Sequence, residues 1–288
     1  MFKHGKISMV VGALMLSAAM VFTGCGGSQS ASSGSGSGAA ISGKVSASGS
    51  TALLPLLKPA LEAFQDKYKD VTVNIAGGGS FTGMNQVAEG SVDIGDSDVN
   101  LPDEYKDKGL VDHKVVVEPF VFIVDKDNPV DNLTKDQVIG ILTGKITNWK
   151  EVGGKDEKVT LIHRAKSSGS RATIADVVLK GQAFTDDAVI QDSNGAVRAA
   201  ISSTPGAIGY VDAPYADDSV KVLKFDGVEY SADNIIAGKY PIYGYGHMYT
   251  KGEPQGAVKA FLDYVMSDEF QNSQVEKLGF IPISKMKK

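Results

Sequence analysis

Cysteine is nearly absent from the sequence, and this absence limits how the chain can be stabilised. Cys25 is the only cysteine among 288 residues, so no disulfide can form within the chain. Internal repeats with a period of about 20 to 50 residues, which would indicate a solenoid or a propeller, are absent as well. The fold must therefore be stabilised by a hydrophobic core of its own.

Basic residues are outnumbered by acidic ones, and they form no basic stripe along the chain. The sequence contains 29 lysines and arginines against 34 aspartates and glutamates, which gives a net charge of −5 at pH 7. This balance argues against nucleic acid or an anionic membrane surface as a partner. A small anion is still a possible ligand, because backbone N–H groups can supply positive potential locally.

The one long apolar run near the start is too short for a comfortable membrane span. It covers Ile7–Phe22 after a start that contains two lysines, whereas a spanning helix needs about 20 apolar residues. The run ends in Phe22–Cys25, which resembles a bacterial lipobox. We therefore predict a signal peptide over residues 1–24 and a lipidated Cys25, which would anchor the protein to the extracytoplasmic face of the cell membrane. A free buried thiol is the alternative.

The segment after Cys25 has the composition of a flexible tether. Gly26–Ala40 consists almost entirely of glycine, serine and alanine, and such a segment cannot bury apolar surface. We assign residues 25–41 to the lipid anchor and its tether. The remainder of the chain is long enough for two lobes of ordinary domain size.

Segments with a strand pattern alternate with segments with a helix pattern from Val45 to Pro282. Val71–Ile75 alternates in the manner of a strand, whereas the residues after Leu53 place apolar side chains at helical spacing. This alternation predicts an α/β fold with parallel sheets that are covered on both faces. The extended segments Val115–Val124 and Tyr240–Tyr249 predict two crossovers of the chain between two lobes.

Three segments share one pattern: an extended stretch, a turn rich in glycine and serine, and the start of a helix. At a helix N-terminus several backbone N–H groups lack an intrahelical partner, and the helix dipole adds partial positive charge. Glycine lets the backbone approach a ligand, and hydroxyl groups add hydrogen-bond donors. Helix capping is the alternative explanation for each turn alone. The three turns are Ser48–Thr51, Gly77–Gly83 and Ser167–Arg171.

One arginine and one aspartate accompany these turns. Arg164 ends a predicted strand just before the third turn, and its planar guanidinium group can bind an oxyanion through two hydrogen bonds. A surface salt bridge is the alternative role. Asp98 ends the segment Val92–Asp98. The spacing of Asp96, Asp98 and Asn100 imitates the start of a calcium loop, but Leu101 stands where that loop needs glycine. We therefore interpret this segment as a strand followed by a turn, and we predict an anion site.

The histidines do not have the spacing of a metal site or of a catalytic base. His113, His163 and His247 lie far apart along the chain. His163 precedes Arg164 on a predicted strand, so the two side chains should point to opposite faces. The serines of the third turn lie outside any G-x-S-x-G motif. We therefore predict a protein without cofactor or metal that is not an enzyme, with a phosphoester hydrolase as an alternative.

Six short segments occur in an order that is specific to one family. They are Gly49–Thr51, Gly79–Gly83, Asp93–Asp98, Gly144–Trp149, Arg164–Arg171 and Ala207–Tyr210. Through them the chain resembles the phosphate-binding lipoproteins of high-affinity phosphate ABC importers, over nearly its whole length after the tether. The resemblance implies an α/β fold with two Rossmann-like lobes joined by two hinge strands, the type II periplasmic-binding-protein architecture. We assign residues 42–122 and 244–288 to the first lobe and residues 123–243 to the second.

The resemblance also implies inorganic phosphate as the ligand and membrane permease subunits of an ABC importer as partners. Two positions depart from the family. Phe81 replaces a small residue, so we expect the second turn to approach the ligand less closely. Lys166 replaces an acidic residue that orients the arginine, so we expect a less tethered Arg164.

The resemblance implies eight phosphate ligands: Ser50, Thr51, Ser80, Asp98, Arg164, Ser168, Gly169 and Ser170.

Asp98 is expected to select phosphate against sulfate. Phosphate keeps a proton on part of its population near neutral pH, since its second pKa is about 6–7. That proton can be donated to Asp98, whereas sulfate would leave a buried carboxylate facing its oxygen without a hydrogen bond.

Two alternative functions are a binder of another oxyanion (molybdate or sulfate) and an interaction protein. In the second, Trp149 and the tyrosines of residues 240–249 would contact a partner.

Overall fold

A computed structural model describes residues 41–286, in which strands and helices alternate. The signal peptide, Cys25 and residues 26–40 of the predicted tether lie outside this range. The strands are β1 (Gly43–Gly49), β2 (Val71–Gly77), β3 (Ile94–Ser97), β4 (Leu110–Val124), β5 (Asn132–Leu133), β6 (Thr160–Arg164), β7 (Val189–Gln191), β8 (Ala207–Asp212), β9 (Lys221–Val222), β10 (Lys224–Phe225) and β11 (Tyr243–Lys251). The helices are α1 (Leu54–Lys67), α2 (Ser80–Glu89), α3 (Lys135–Leu142), α4 (Gly169–Ile174), α5 (Asn194–Ser202), α6 (Ala232–Ile236), α7 (Gly256–Val265) and α8 (Asp268–Phe270). Within 41–286, no helix combines the length and apolar character that a membrane crossing requires.

Nine of these strands form one sheet, in the order β2-β1-β3-β11-β4-β8-β6-β7, with β9 paired to β4 outside this path. β1 is parallel to β2 and β3, and β6 is parallel to β7 and β8. In contrast, β11 is antiparallel to β3 and β4, and β4 is antiparallel to β8. The prediction of parallel sheets is therefore correct for each outer part and wrong for the middle, where two long strands join the parts.

These two long strands, β4 and β11, are the hinge strands between two lobes. β4 pairs with β11 as far as Pro119 and then, from Phe120 onward, with β8 of the other half. The first predicted crossover, Val115–Val124, lies within β4. The second, Tyr240–Tyr249, overlaps β11 from Tyr243 onward. The architecture is the type II periplasmic-binding-protein fold. The numbered limits of the two lobes stay a prediction.

Each lobe has apolar clusters that its helices cover. In the first lobe, α1 begins with Pro55 in its first turn and buries Leu57 and Phe64 against α7. Helix α2 of the same lobe buries Met84 in a separate, smaller cluster. The second lobe holds the largest cluster, and α5 covers another cluster around Val197. Burial of each such large apolar side chain stabilises the fold by about 2 kcal/mol.

The Gly144–Trp149 segment, which is specific to the family in sequence, stabilises the second lobe. Trp149 is 1% exposed, and its indole Nε1 donates to the carbonyl oxygen of Gly206 at 2.8 Å. Tyr240 is also buried, and its hydroxyl donates to the carbonyl oxygen of Phe120 at 3.1 Å. These two aromatic side chains therefore serve the core and do not form a partner surface.

Candidate anion-binding site

The three predicted turns follow the carboxyl ends of strands, where the two lobes meet. β1 leads into the first turn, β2 into the second, β3 into Asp98, and β6 into the third turn. In open α/β sheets this edge is where ligands bind. All eight predicted ligand residues are buried there: Ser50, Thr51, Ser80, Asp98, Arg164, Ser168, Gly169 and Ser170.

Asp98 connects groups from both lobes. The Ser170 hydroxyl of the second lobe donates to Asp98 Oδ2 at 2.8 Å. The Asp98 backbone N–H donates to Ser80 Oγ of the first lobe at 3.0 Å. Asp98 Oδ1 is buried and has no hydrogen-bond partner among residues 41–286. The site therefore offers one free carboxylate oxygen as an acceptor.

Arg164 supplies the positive charge of the site. It is 1% exposed, its Nη2 donates to the carbonyl oxygen of Asp192 at 2.9 Å, and its Nη1 lies 3.5 Å from Ser170 Oγ. Burial lowers the pKa of Arg164, and the nearby Asp98 carboxylate opposes this change. Arg164 keeps the hydrogen bond to the Asp192 carbonyl although Lys166 is exposed, whereas its buried Nε has no partner among residues 41–286. The looser tethering of Arg164 stays a prediction.

The hydroxyl groups of the site are oriented as hydrogen-bond donors. Ser50 Oγ accepts from the backbone N–H of Ala52 at 2.9 Å, and Ser168 Oγ accepts from that of Arg171 at 3.2 Å. A hydroxyl whose oxygen already accepts from an N–H group still has its hydrogen to donate. The local backbone thus turns these side chains into donors for an anion.

Glycines allow the two lobes to touch across the cleft. Gly79 has φ of 94°, and a Cβ atom there would lie 2.5 Å from the carbonyl oxygen of Ser167 in the other lobe. A Cβ on Gly169 would clash with Ser80 Oγ. The backbone N–H of Phe81 donates to the Ser167 carbonyl at 3.1 Å. The second turn therefore approaches the opposite lobe closely despite the bulk of Phe81.

Sequence reasoning missed a fourth turn at this edge. Asn194 begins α5 behind Ser193, whose side chain caps the helix. The backbone N–H and Nδ2 of Asn194 both donate to Thr51 Oγ1, and the Tyr215 hydroxyl donates to the Thr51 carbonyl oxygen. The signal was present, since β7, a polar turn and α5 repeat the pattern of the other three turns.

Sequence reasoning also missed three buried carboxyl groups around the hinge strands, Asp96, Glu118 and Asp212. Each is 0% exposed, and none of their side-chain oxygens has a hydrogen-bond partner within the described range. Burial raises the pKa of each group well above its usual value, and the charge of Asp98 raises it further. Burial thus shifts these three groups, called here the hinge carboxyls, toward the neutral form.

His163 lies in the core and not in the cleft. Its ring stacks on Phe184 with 4.7 Å between the ring centroids, and burial lowers its pKa to about 4. It follows the strand rule, because its neighbour Arg164 enters the site while His163 does not. The part of the chain from 41 to 286 contains no cluster of three or more histidine, cysteine or acidic residues placed to hold a metal ion.

Two lobes with a buried, donor-rich site between them define the class of solute-binding proteins, and comparison with known proteins agrees. Residues 34–269 match the family model of the PBP superfamily domain. The Bacillus subtilis phosphate-binding protein PstS is 43% identical over 289 residues, which cover 98% of this chain and 96% of that protein. The chain therefore belongs to the PBP superfamily and, within it, to the family of PstS phosphate-binding proteins.

Solved structures agree with this assignment. A phosphate ABC transporter substrate-binding protein of Clostridium perfringens, solved with bound phosphate, superposes with a TM-score of 0.81 at 34% identity, covering 84% of this chain and all of that one. An ABC-type phosphate transport receptor of Vibrio cholerae gives a TM-score of 0.67 at 25% identity, covering 82% of this chain and 99% of that one.

Proposed function

We propose that this protein captures inorganic phosphate in the cleft between its lobes and delivers it to a phosphate ABC importer. The observation that carries the proposal is the free oxygen of Asp98, a single acceptor surrounded by buried donors. The relatives named above, which include a binding protein solved with phosphate, support the same ligand. Capture without chemical turnover is the activity that this arrangement favours.

In the proposed complex the anion accepts from the two lobes at once. Arg164 provides a full positive charge, which suits an oxyanion because the guanidinium group donates in a plane. Backbone N–H groups at the turns and the oriented hydroxyls provide the remaining donors. The residues proposed to contact phosphate are Ser50, Thr51, Ser80, Asp98, Arg164, Ser168, Gly169 and Ser170.

Selection follows from the one acceptor. A phosphate that still carries a proton donates it to Asp98 Oδ1, the carboxylate oxygen without a partner in residues 41–286. Sulfate has no proton to donate, so its oxygen would face a desolvated carboxylate oxygen. A site built around a particular hydrogen bond rejects ligands that cannot make it by about 10⁴–10⁵-fold. We infer that Asp98 discriminates phosphate from sulfate.

Delivery requires the two lobes to present one closed surface. The lobes touch through Ser167 and the second turn, and through Thr51 and the fourth turn. Closure of two domains around a ligand is a common way to signal occupancy to a partner. We infer that permease subunits of the importer recognise the closed arrangement of this protein.

Lipidation of Cys25 would keep the protein at the extracytoplasmic face of the membrane. A diacylglycerol thioether inserts two acyl chains, which suffice for stable anchoring. Replacement Cys25→Ser should abolish incorporation of labelled palmitate and release the protein from the membrane fraction. Unchanged labelling and membrane association in this variant would contradict the proposed anchor.

Calorimetric titration of the Cys25→Ser protein with four anions tests the proposed ligand. We expect tight binding of phosphate and of arsenate, which also carries a proton, and binding of sulfate and molybdate weaker by about 10⁴-fold. Equal affinity for phosphate and sulfate would contradict the proposal. Release of phosphate from p-nitrophenyl phosphate by the same preparation would instead favour a hydrolase.

A further inference from the structure

We propose that Asn194 is a positioning residue of the phosphate site, which turns the hydroxyl hydrogen of Thr51 toward the ligand when the lobes meet. This inference rests on the proposed function and deepens it, because it assigns a role to a residue that does not contact phosphate itself. Asn194 belongs to the second lobe and Thr51 to the first. Closure of the cleft and orientation of one donor would thus be a single event.

The contacts of Asn194 are fully determined by its surroundings. The residue is 0% exposed. Its backbone N–H and its side-chain Nδ2 lie 3.3 and 3.2 Å from Thr51 Oγ1. Its Oδ1 accepts from the backbone N–H of Asp212 at 3.0 Å. The reversed amide would point Nδ2 at another N–H donor, so this hydrogen-bond pattern fixes the orientation of the side chain.

These contacts decide what the Thr51 hydroxyl can do. A hydroxyl oxygen has two lone pairs, and both are engaged when it accepts from two N–H groups. Its hydrogen must then be donated in another direction. The Tyr215 hydroxyl bonds to the Thr51 carbonyl oxygen and leaves the hydroxyl group of Thr51 untouched. A ligand oxygen in the cleft is the acceptor that this geometry calls for.

The rotamer of Thr51 is held from the opposite side. Its Cγ2 methyl lies only 2.8 Å from the place where a Cβ atom on Gly77 would be. The missing side chain of Gly77, at the end of β2, leaves the room that this methyl group occupies. With the methyl packed there, Oγ1 is directed to Asn194. Glycine on one side and the amide on the other therefore define the direction of the hydroxyl.

Tyr215 provides a matched comparison for Asn194. Both residues belong to the second lobe and both hold Thr51 of the first lobe, but only Asn194 touches the hydroxyl oxygen. A residue that merely clamps the lobes should weaken binding independently of the hydroxyl. A residue that orients the hydroxyl should have no effect once the hydroxyl is removed.

A double-mutant cycle on phosphate affinity tests this distinction. Thr51→Val removes the hydroxyl but keeps the shape, and we expect phosphate affinity to fall about 10- to 100-fold. Asn194→Ala should weaken binding by a similar or smaller factor in the wild-type background. In the Thr51→Val background it should cost less than about twofold, because there is no hydroxyl left to orient. Tyr215→Phe should cost the same factor in both backgrounds.

Asn194→Asp gives the sharper result. Because it keeps the side-chain volume, it also provides the test if Asn194→Ala does not fold. A carboxylate accepts the Thr51 hydroxyl hydrogen and turns a lone pair to the ligand, so phosphate affinity should fall further than in Asn194→Ala. Thermal unfolding of each variant checks that it is folded. If the losses from Asn194→Ala and Thr51→Val multiply, or if Asn194→Asp binds as wild type does, the positioning role is wrong. If the wild-type protein does not bind phosphate at all, the proposed function fails with it.

Discussion

Asp98 and the three hinge carboxyls are equally buried, but their surroundings differ. Asp98 accepts from Ser170, and Arg164 lies close to it. The side chains of Asp96, Glu118 and Asp212 receive no hydrogen bond from residues 41–286. Burial raises the pKa of Asp98 too, but the nearby hydroxyls of Ser50 and Ser170 and the charge of Arg164 oppose the rise. The pKa values of the other three groups are raised well above the usual range.

The comparison shows that, among similarly buried carboxyl groups, hydrogen-bond and charge partners oppose the rise in pKa that burial causes. Desolvation disfavours the charged form, and hydrogen bonds to the charged form restore it. A neutral carboxyl also adds no negative charge next to an anion site. Three ionised hinge carboxyls would repel an anion in a cleft of low dielectric constant. The partners that oppose the rise in pKa at Asp98, and the raised pKa of the other three groups, therefore both suit a protein that binds an anion.

The largest expected effect concerns selectivity and separates Asp98 from its neighbour Asp96. In Asp98→Asn, the side chain offers both a donor and an acceptor, so sulfate no longer faces an unpaired carboxylate. Discrimination of phosphate over sulfate should fall from about 10⁴-fold to less than about 10²-fold. Asp96→Asn is the matched control and should leave discrimination unchanged, since a neutral acid and an amide have the same shape. Calorimetric titration with both anions measures the ratio; unchanged discrimination in Asp98→Asn would refute the assignment.

The second effect concerns Arg164, the cation that lies close to Asp98 but is absent from the surroundings of the hinge carboxyls. Arg164→Ala removes the positive charge from a buried site, which typically costs about 3–5 kcal/mol. Phosphate affinity should therefore fall by at least about 10²-fold, more than after removal of any single hydroxyl. Arg171→Ala, which removes the partner of the Arg164 carbonyl, serves as the control and should cost less. Equal losses for Arg164→Ala and the single serine variants would contradict the role given to Arg164.

The third effect concerns the hinge carboxyls and is measured in the free energy of unfolding. In the unfolded chain Glu118 ionises above about pH 4.3, whereas in the folded protein its pKa is raised well above its usual value. Because the unfolded state then binds fewer protons, the free energy of unfolding falls as the pH rises, by at most about 1.4 kcal/mol per pH unit for one group. The contribution is fully present below the unfolded pKa and is lost between the two pKa values.

Glu118→Gln should therefore flatten the loss of stability with rising pH. Glutamine cannot ionise, so the unfolding free energy of this variant should exceed that of the wild type increasingly above about pH 5. Urea unfolding at several pH values between about 5 and 8 measures the slope. Glu89→Gln, at an exposed position, is the control and should leave the slope unchanged. Parallel curves for Glu118→Gln and wild type would mean that Glu118 is ionised in the folded protein.

The smallest expected effect concerns the hydrogen bond that holds the Asp98 backbone. Ser80→Ala removes the acceptor of the Asp98 N–H group and one donor of the site. We expect a loss of phosphate affinity of about tenfold, in line with one hydrogen bond in a buried site. Ser91→Ala, at an exposed position just after the same helix, should leave phosphate affinity unchanged. An undiminished affinity in Ser80→Ala would remove Ser80 from the site.

Much of the fold and of the site could be predicted because the signals are local. Periodicity places β2 and α1 within a few residues, and turn composition identifies three of the four turns at the cleft. The fourth turn carries the same local signal, but its contacts with Thr51 could not be predicted, because Asn194 and Thr51 are 143 residues apart and Tyr215 and Thr51 are 164 apart. The antiparallel centre of the sheet was missed for the same reason, since pairing between β4, β11 and β8 is not written in any one segment.

The sequence by itself determined which chemical groups are available: hydroxyls and glycines at helix starts, one arginine, and an aspartate after a strand. Only the tertiary structure decided what each group does. Two aspartates of the same segment, Asp96 and Asp98, have different protonation tendencies because the folded chain supplies partners to one and not to the other. The direction of the Thr51 hydroxyl depends likewise on a residue of the other lobe. Hydrogen bonds and desolvation act over a few ångströms, and folding alone sets distances on that scale between residues so far apart in sequence.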